Sequence, residues 1–443
     1  MLNIFKNLFT KEELLNGNFG IEREALRVDK NGELSKKPHP KVFGGKMDNK
    51  YVTVDFAESQ VEMITPVISS LNELYAFLER LYDYVCLNIE DEYLWPQSMP
   101  AISPSYIKVA DFDSSSKGIE ARKYRDYLVE KYGSKKQLIS GIHFNFSFNE
   151  NIISKLYKYF GESDYKLFKD SIYLKVTRNY LKYRWFIVYL LGASPIVHST
   201  YDSKSLEYID KVNDEVFSSD YAISYRNSNI GYKNLAEVYP DYSSTLNYVK
   251  SIENYVENGT LYNYKELYTH VRLKARDNEN LLQSLLENGI SYIEIRNVDI
   301  NPFDKVGISF MDMKVLNIFL LFSLIDEEED YPDWQEEALY NQIAVAEHGL
   351  DNLLLKKNGE LIDRKKYSIE ILNKLKNINK ILNLNQEDTL EYVENKIDNY
   401  SLTYSYRFKN SAIKNGYIKY CLDLANQYKK DINLNHKDMD ILS

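Results

Sequence analysis

The residues most able to do chemistry in this chain of 443 residues are acids placed on strand-like segments. In "FGIERE" (19–24), Glu22 and Glu24 stand two positions apart, so an extended strand projects both carboxylates from one face. In "HFNFSF" (143–148), Phe144, Phe146 and Phe148 point one way while His143, Asn145 and Ser147 point the other. In "YIEIRNV" (292–298), Ile293 and Ile295 share one side, and Tyr292, Glu294 and Arg296 share the opposite one. The segment "YVTVDFAESQVEMITP" (51–66) adds Asp55, then Glu58 and Glu62 among apolar neighbours. Any one of these segments reads as a strand with a solvated face. Together they weaken that reading, because other polar faces of the chain are rich in Lys and Asn.

If these carboxylates converge, two of them about 5 Å apart repel by roughly 3 kcal/mol at an effective dielectric of 20. Either some hold protons or cations sit between them. Oxygen ligands of this kind suit hard divalent ions such as Mg²⁺ or Mn²⁺. A single His among many acids does not suggest zinc, and there is no HExxH helix. Arg296, two residues after Glu294, would set a guanidinium beside the cations, where a bound polyphosphate needs one. Neither GxxxxGK[ST] nor GxGxxG occurs, so a nucleotide would be held by metals and arginines rather than by a glycine loop.

Period-two alternation predicts strands over 51–56, 141–148 and 291–300. Helical spacing predicts helices over 70–91, roughly 171–191, and 312–325. The remainder, from about 326 to 443, reads as mostly helical and without obvious strands. Strands separated by long helical insertions imply an α+β fold, with an antiparallel sheet packed on helices by one side and open on the other. No linker divides the chain, which reads as one unit.

The composition, 44% hydrophobic, is enough for a large core. A net charge of −10 argues against nucleic acid as a partner. Two cysteines, Cys86 and Cys421, exclude a disulfide framework and read as inert packing residues. The start "MLNIFKNLFTKEELL" lacks a secretion-signal pattern, and the longest apolar stretches (185–197 and 315–325) fall short of a membrane span. A cytoplasmic protein with small-molecule substrates, no membrane and no obligate protein partner is the expectation.

"FGIEREALRVDKNGELSKKPHP", "TVDFAESQVEMITP", "DEYLWPQSMP", "SGIHFNFSF", "LLGASP", "YRNSNIGY" and "YIEIRNVDINPF" stand in the order and approximate spacing found in bacterial glutamate–cysteine ligases. The chain resembles that family over about 15–325, and more weakly through "LTYSYRFKNSAIKNGY" (402–417). The resemblance implies a glutamine-synthetase-like curved antiparallel sheet forming a funnel, with helices outside. It implies ATP as co-substrate, Mg²⁺ (or Mn²⁺) as cofactor, and formation of γ-glutamylcysteine, the first step of glutathione synthesis. By resemblance Glu22, Glu24, Asp55, Glu62, His143 and Glu294 would ligate metal, and Arg296 would meet the phosphates. Tyr124, Arg125, Arg226, Tyr232 and Tyr268 would line the amino-acid side, with Arg226 on a substrate carboxylate. Arg272 and Lys274 would be further phosphate or carboxylate contacts.

For other residues the structural readings are the simpler ones: Arg178 and the "GASP" loop stabilise helix ends, and His39 belongs to a turn. His198, His270, His348 and His436 read as ordinary polar residues. Two other functions stay open at this stage, a γ-glutamyl ligase with a different amine acceptor and a non-catalytic binding module that keeps the fold. Some relatives carry a fused second ATP-dependent domain; none is visible here, so the expected product is the dipeptide.

Overall fold

A computed structural model describes residues 1–329 and 331–438. Its centre is a seven-stranded antiparallel sheet: β1 (Gly17–Val28), β2 (Val52–Val54), β3 (Gln60–Ile64), β4 (Tyr93–Leu94), β5 (Ile142–Phe148), β6 (Val271–Lys274) and β7 (Tyr292–Val298). The spatial order is β2-β3-β1-β5-β7-β6, with β4 pairing the far end of β1. The predicted strands are all present, each one to three residues shorter than the alternation suggested. Asp55 lies just past the end of β2.

The register follows from the apolar face. Phe19, Ile21, Phe144, Phe146, Phe148, Ile293 and Ile295 are all buried in one continuous core. Phe19 stacks between Phe144 and Phe146, with ring centroids 5.9 and 5.6 Å away. Slipping any strand by one position would expose these rings, so their burial fixes which residues reach the other side. There, His143 pairs across from Glu22, Glu62 from Glu24, and Glu294 from both Asn145 and Arg272. One irregularity interrupts the ladder: Phe144 faces Ile295, but Ile142 faces Val298, so β7 carries one extra residue just past Arg296. Such a bulge re-aims the side chains that follow it.

Helices α1 (Leu71–Asn88), α2 (Ser116–Tyr132), α3 (Tyr165–Leu191) and α4 (Phe310–Ile325) surround the sheet. α1, α3 and α4 cover the apolar side. α4 is apolar nearly all round because helices pack on it from several sides, and a Ser309/Asp312 capping box starts it. α3 begins at an Asp164 cap, several residues before the apolar stretch that signalled it. The sheet's polar side is not open as expected. α2 and loop segments around 226–232 and 262–270 roof it, leaving a cavity between.

The C-terminal segment is mostly helical, with residues 330 and 439–443 outside the described residues. It also holds a hairpin, Leu354–Lys357 with Glu360–Asp363, which the sequence reading missed. Asn358 and Gly359 both take positive φ (53° and 82°), the pattern of a tight Asn-Gly turn. Its strands are four residues each and charged, so alternation carried little signal. Tyr392 and Tyr404 both donate to Asp312 of α4 at 2.9 Å, and Lys396 donates to the Leu190 carbonyl at the end of α3 at 2.7 Å. Among the described residues no helix is long and apolar enough to cross a membrane. Both cysteines are buried and free, and burial pushes the Cys86 thiol up to about 11.

Phe146→Ala should remove a ring that the sheet register depends on. The expected loss is about 3–5 kcal/mol of unfolding free energy, measured by urea denaturation; a loss under about 1 kcal/mol would contradict the packing account.

Candidate active site

The roofed face of the sheet encloses a cavity of about 740 Å³, within the range of small-molecule sites. Every residue that the family resemblance pointed to for metal, phosphate or amino-acid contact lines it. The strand order sets its polarity. β3 and β1 bring Glu62, Glu22 and Glu24, β5 brings His143, and β7 and β6 bring Glu294, Arg296, Arg272 and Lys274. The floor therefore runs from acidic on one flank to basic on the other.

His143 sits at the crossing point. Its Nδ1 lies 3.1 Å from Glu22 Oε2 and 3.3 Å from Glu294 Oε1, and its Nε2 lies 3.6 Å from Glu24 Oε1. Asn145 donates to Glu22 Oε1 at 3.0 Å, and the Gly141 amide donates to Glu24 Oε2 at 2.8 Å. Lys274 Nζ stands 2.8 Å from Glu294 Oε2, and Arg296 pairs with the other oxygen. Among the described residues, Glu294 is the one acid of this group that forms ion pairs with Lys or Arg.

The charge balance differs accordingly. Burial, with Glu22, Asp55, Glu24 and Glu294 nearby, raises the Glu62 carboxyl well above the ordinary carboxylate range. Burial also raises Glu24, although His143 opposes it. At Glu294 burial resists ionisation, but Arg296, Lys274, His143 and Arg272 hold its carboxyl well below the usual range. Glu22 is lowered as well: burial and Glu294 push it up, and His143 and Lys274 outweigh them.

The donor atoms fit a metal. Glu22, His143 and Glu294 bring ligand atoms within 4.8 Å of one another, and so do Glu24, Glu62 and His143. Both sets are mainly carboxylate oxygen, the chemistry of hard divalent ions. Glu62, disfavoured as an anion by its neighbours, is the group whose ionisation a cation would restore.

The remaining predicted residues build the walls. Arg226 spans two elements: its guanidinium donates to the Arg296 carbonyl at 2.6 Å and lies 4.0 Å from Asp299 Oδ1. It rests on Gly141, where a Cβ would fall 2.1 Å from its Nη2. Arg125 donates to the Asp55 carbonyl at 2.7 Å and stacks over Phe112. Tyr232 and Tyr268 hydrogen-bond through their hydroxyls, with ring centroids 4.2 Å apart. Burial pushes the Tyr124 hydroxyl, further along this wall, up to about 12. Arg272 spends donors on the Lys265 and Leu267 carbonyls, which ties the roof segment to β6.

Four sequence readings change. Glu58 does not belong to the acidic face. It is buried elsewhere, accepting from the His39 amide at 2.8 Å and from Lys46 at 2.6 Å, because the turn between β2 and β3 rotates it away. The "GASP" loop does more than end α3: the Ala193 amide and Ser194 hydroxyl both donate to Asp299, which also accepts from Asn227 and flanks Arg226. His270, read as an ordinary polar residue, lines the cavity; burial, with Arg184, Arg226 and Arg296, depresses it well below its usual value. Arg178 does not stabilise a helix end: it lies midway along α3, away from the cavity, pairing with Glu328 and donating to the Tyr242 carbonyl. Of the residues not singled out, Asn145 was legible from its place between His143 and Ser147. Asp299 carried no signal, since the bulge shifts its parity.

A family model described as glutamate–cysteine ligase matches residues 2–265 and 254–345. The chain is 37% identical over 456 residues to a bifunctional glutathione biosynthesis protein of Clostridium perfringens, covering 100% of this chain and 58% of that protein. It thus spans little more than half the length of that relative. It is 36% identical over 422 residues to a glutamate–cysteine ligase of Clostridium acetobutylicum, covering 86% of this chain and 88% of that one. The crystal structure of a glutamate–cysteine ligase from Francisella tularensis, in complex with AMP, superposes with a TM-score of 0.89 at 30% identity, covering 96% of this chain and 91% of the other.

His143 contributes a donor to both carboxylate sets. His143→Ala should therefore weaken Mn²⁺ binding, read from the free-ion EPR signal, more than Glu22→Gln or Glu62→Gln does. Equal affinity in all four proteins would place the ion elsewhere.

Proposed function

The chain belongs to the glutamate–cysteine ligase family, and from that premise we propose that it joins the γ-carboxylate of glutamate to the amine of cysteine, coupled to cleavage of ATP to ADP and phosphate. The observation that carries this reading is the floor of the cavity, where four glutamates meet around His143 beside a flank of Arg296, Arg272 and Lys274.

A carboxylate is a poor acylating agent because its departing oxygen is strongly basic. Transfer of the γ-phosphoryl group of ATP to glutamate gives an acyl phosphate and ADP. The cysteine amine then attacks the acyl carbon, phosphate leaves, and the amine's proton is lost to give the amide. No covalent protein nucleophile is required. The protein's task is to hold anions together and to stabilise charge that develops during transfer.

Glu22, Glu24, Asp55, Glu62, His143 and Glu294 would hold Mg²⁺ or Mn²⁺, which when bound neutralises phosphate oxygens and makes the phosphorus more electrophilic. Arg296 and Lys274, held at Glu294, extend positive charge toward those oxygens. Arg272 supports the same flank through the loop it anchors. Arg226, buttressed by Asp299 and Gly141, presents its guanidinium to a substrate carboxylate. Tyr124, Tyr232 and Tyr268, with Arg125 beside them, form a wall suited to a small side chain. The α2 roof shields the acyl phosphate from water. In this reading the C-terminal helices belong to the same catalytic unit, since they anchor α4 and the end of α3.

The direct test incubates the purified chain with glutamate, cysteine, ATP and Mg²⁺ and identifies the product by mass. γ-Glutamylcysteine is expected, at a higher rate than the products with serine or 2-aminobutyrate. A preference for another amine would redirect the acceptor assignment. Glu294→Gln should cut ADP formation by roughly 10²–10³-fold, the size of losing one preorganised charge-stabilising group, with the fold retained by circular dichroism. Gly141→Ala should displace Arg226 and raise the KM of one amino-acid substrate by about 10–100-fold, the value of a charge-assisted hydrogen bond. Unchanged KM for both amino acids would remove Arg226 from substrate binding.

A further inference from the structure

The roof over the main cavity has little apolar surface to hold it down. Of the 17 residues of α2, only Gly118, Leu128 and Tyr132 are buried. Its ion pairs toward the mouth, Lys117 with Glu279 and Arg122 with Asp111, are exposed and add little. A helix docked this way opens readily unless something else fixes it.

The fixing group is a carboxylate. Glu266, in the roof segment 262–270, is 0% exposed and does not line the cavity. Its Oε1 accepts from the Tyr132 hydroxyl at 2.5 Å and lies 2.5 Å from Lys131 Nζ. Its Oε2 accepts from the Tyr127 hydroxyl at 3.2 Å and from the Tyr262 amide at 2.6 Å. Three of these four donors stand at the C-terminal end of α2. The Glu266 carbonyl accepts from Asn234 at 2.7 Å, and Asn234 Oδ1 accepts from the Tyr268 amide at 2.9 Å. All three pieces of the roof therefore meet at one residue. The Tyr132 ring carries the join to the cavity wall, packing edge-on against Tyr232 and Tyr268 with centroids 5.8 and 5.7 Å away.

A fully buried carboxylate is costly unless its oxygens are paired, and here four donors pair them. The isosteric amide cannot take its place: one oxygen becomes a donor facing other donors, and Lys131 loses its anion. We propose that Glu266 is a positioning residue for the ligase reaction. By clamping α2 to the 262–270 segment it keeps the roof shut, so that the acyl phosphate meets the acceptor amine before it meets water. The inference rests on the ligase reading and adds to it the group that protects the intermediate.

The test compares Glu266→Gln with the unaltered chain in two measurements. With glutamate, cysteine, ATP and Mg²⁺ the unaltered chain should release equal amounts of ADP and dipeptide. In Glu266→Gln, ADP should exceed dipeptide by about twofold or more as water enters the opened site. Loss of stability alone would slow both and leave them equal. Amide hydrogen exchange, read by mass spectrometry, should accelerate about tenfold across α2 and 262–268, the size of one charge-assisted hydrogen bond lost, and stay unchanged in β1 and β5. Should Glu266→Gln fold poorly, Tyr132→Phe removes one donor, keeps the ring, and should shift both readouts the same way. Equal ADP and dipeptide in the variants would overturn the proposal, as would unaccelerated exchange in the roof or acceleration spread over the sheet. An unaltered chain that forms no dipeptide would instead fail the ligase reading, and the exchange measurement alone would then decide whether Glu266 holds the roof.

Discussion

Four glutamates crowded on one desolvated face is the constraint to which the rest of this structure answers. Each buried carboxylate is costly alone, and each raises the cost of the next. The protein settles the account unevenly. Glu294 receives Arg296 and Lys274 and stays ionised, whereas Glu62 receives no cationic side chain and is strongly disfavoured as an anion. The gradient follows from strand order, since acids come from β3 and β1 while bases come from β7 and β6. A face built this way is electrostatically unfinished, and binding a cation and a polyanion together would complete it.

The apolar face was fully legible in the sequence because alternation is a short-range signal with a single physical cause. Once Phe144, Phe146 and Phe148 are assigned to the core, His143 and Asn145 have nowhere to go but the other side. The same logic placed Glu22, Glu24, Glu294 and Arg296. It failed where the backbone leaves the regular pleat: Glu58 sits in the turn between β2 and β3, where parity carries no information. The roof was illegible for another reason. α2 is polar over most of its surface, and nothing in its composition says that it spans a cavity instead of facing solvent. Family motifs, not periodicity, drew attention to Tyr124 and Arg125 there.

Support for the site is layered outward from the sheet. Arg226 leans on Gly141 and on Asp299, and Asp299 is held by Ala193, Ser194 and Asn227. Two residues before that loop, the Leu190 carbonyl accepts from Lys396. A C-terminal helix that lines no part of the main cavity is thus three contacts from a guanidinium that does. Precision of this kind usually depends on such outer partners as much as on the groups that touch the ligand.

The extra residue in β7 has a consequence for how this strand can change over time. Upstream of it, even-numbered positions look into the cavity; downstream, Val298 turns to the core and Asp299 comes round to Arg226. Substitutions along β7 would be judged one side chain at a time, but a single-residue deletion would swap inside for outside along everything beyond it. Spacing between Glu294 and Asp299 is therefore a constraint in its own right, separate from the side chains that occupy it.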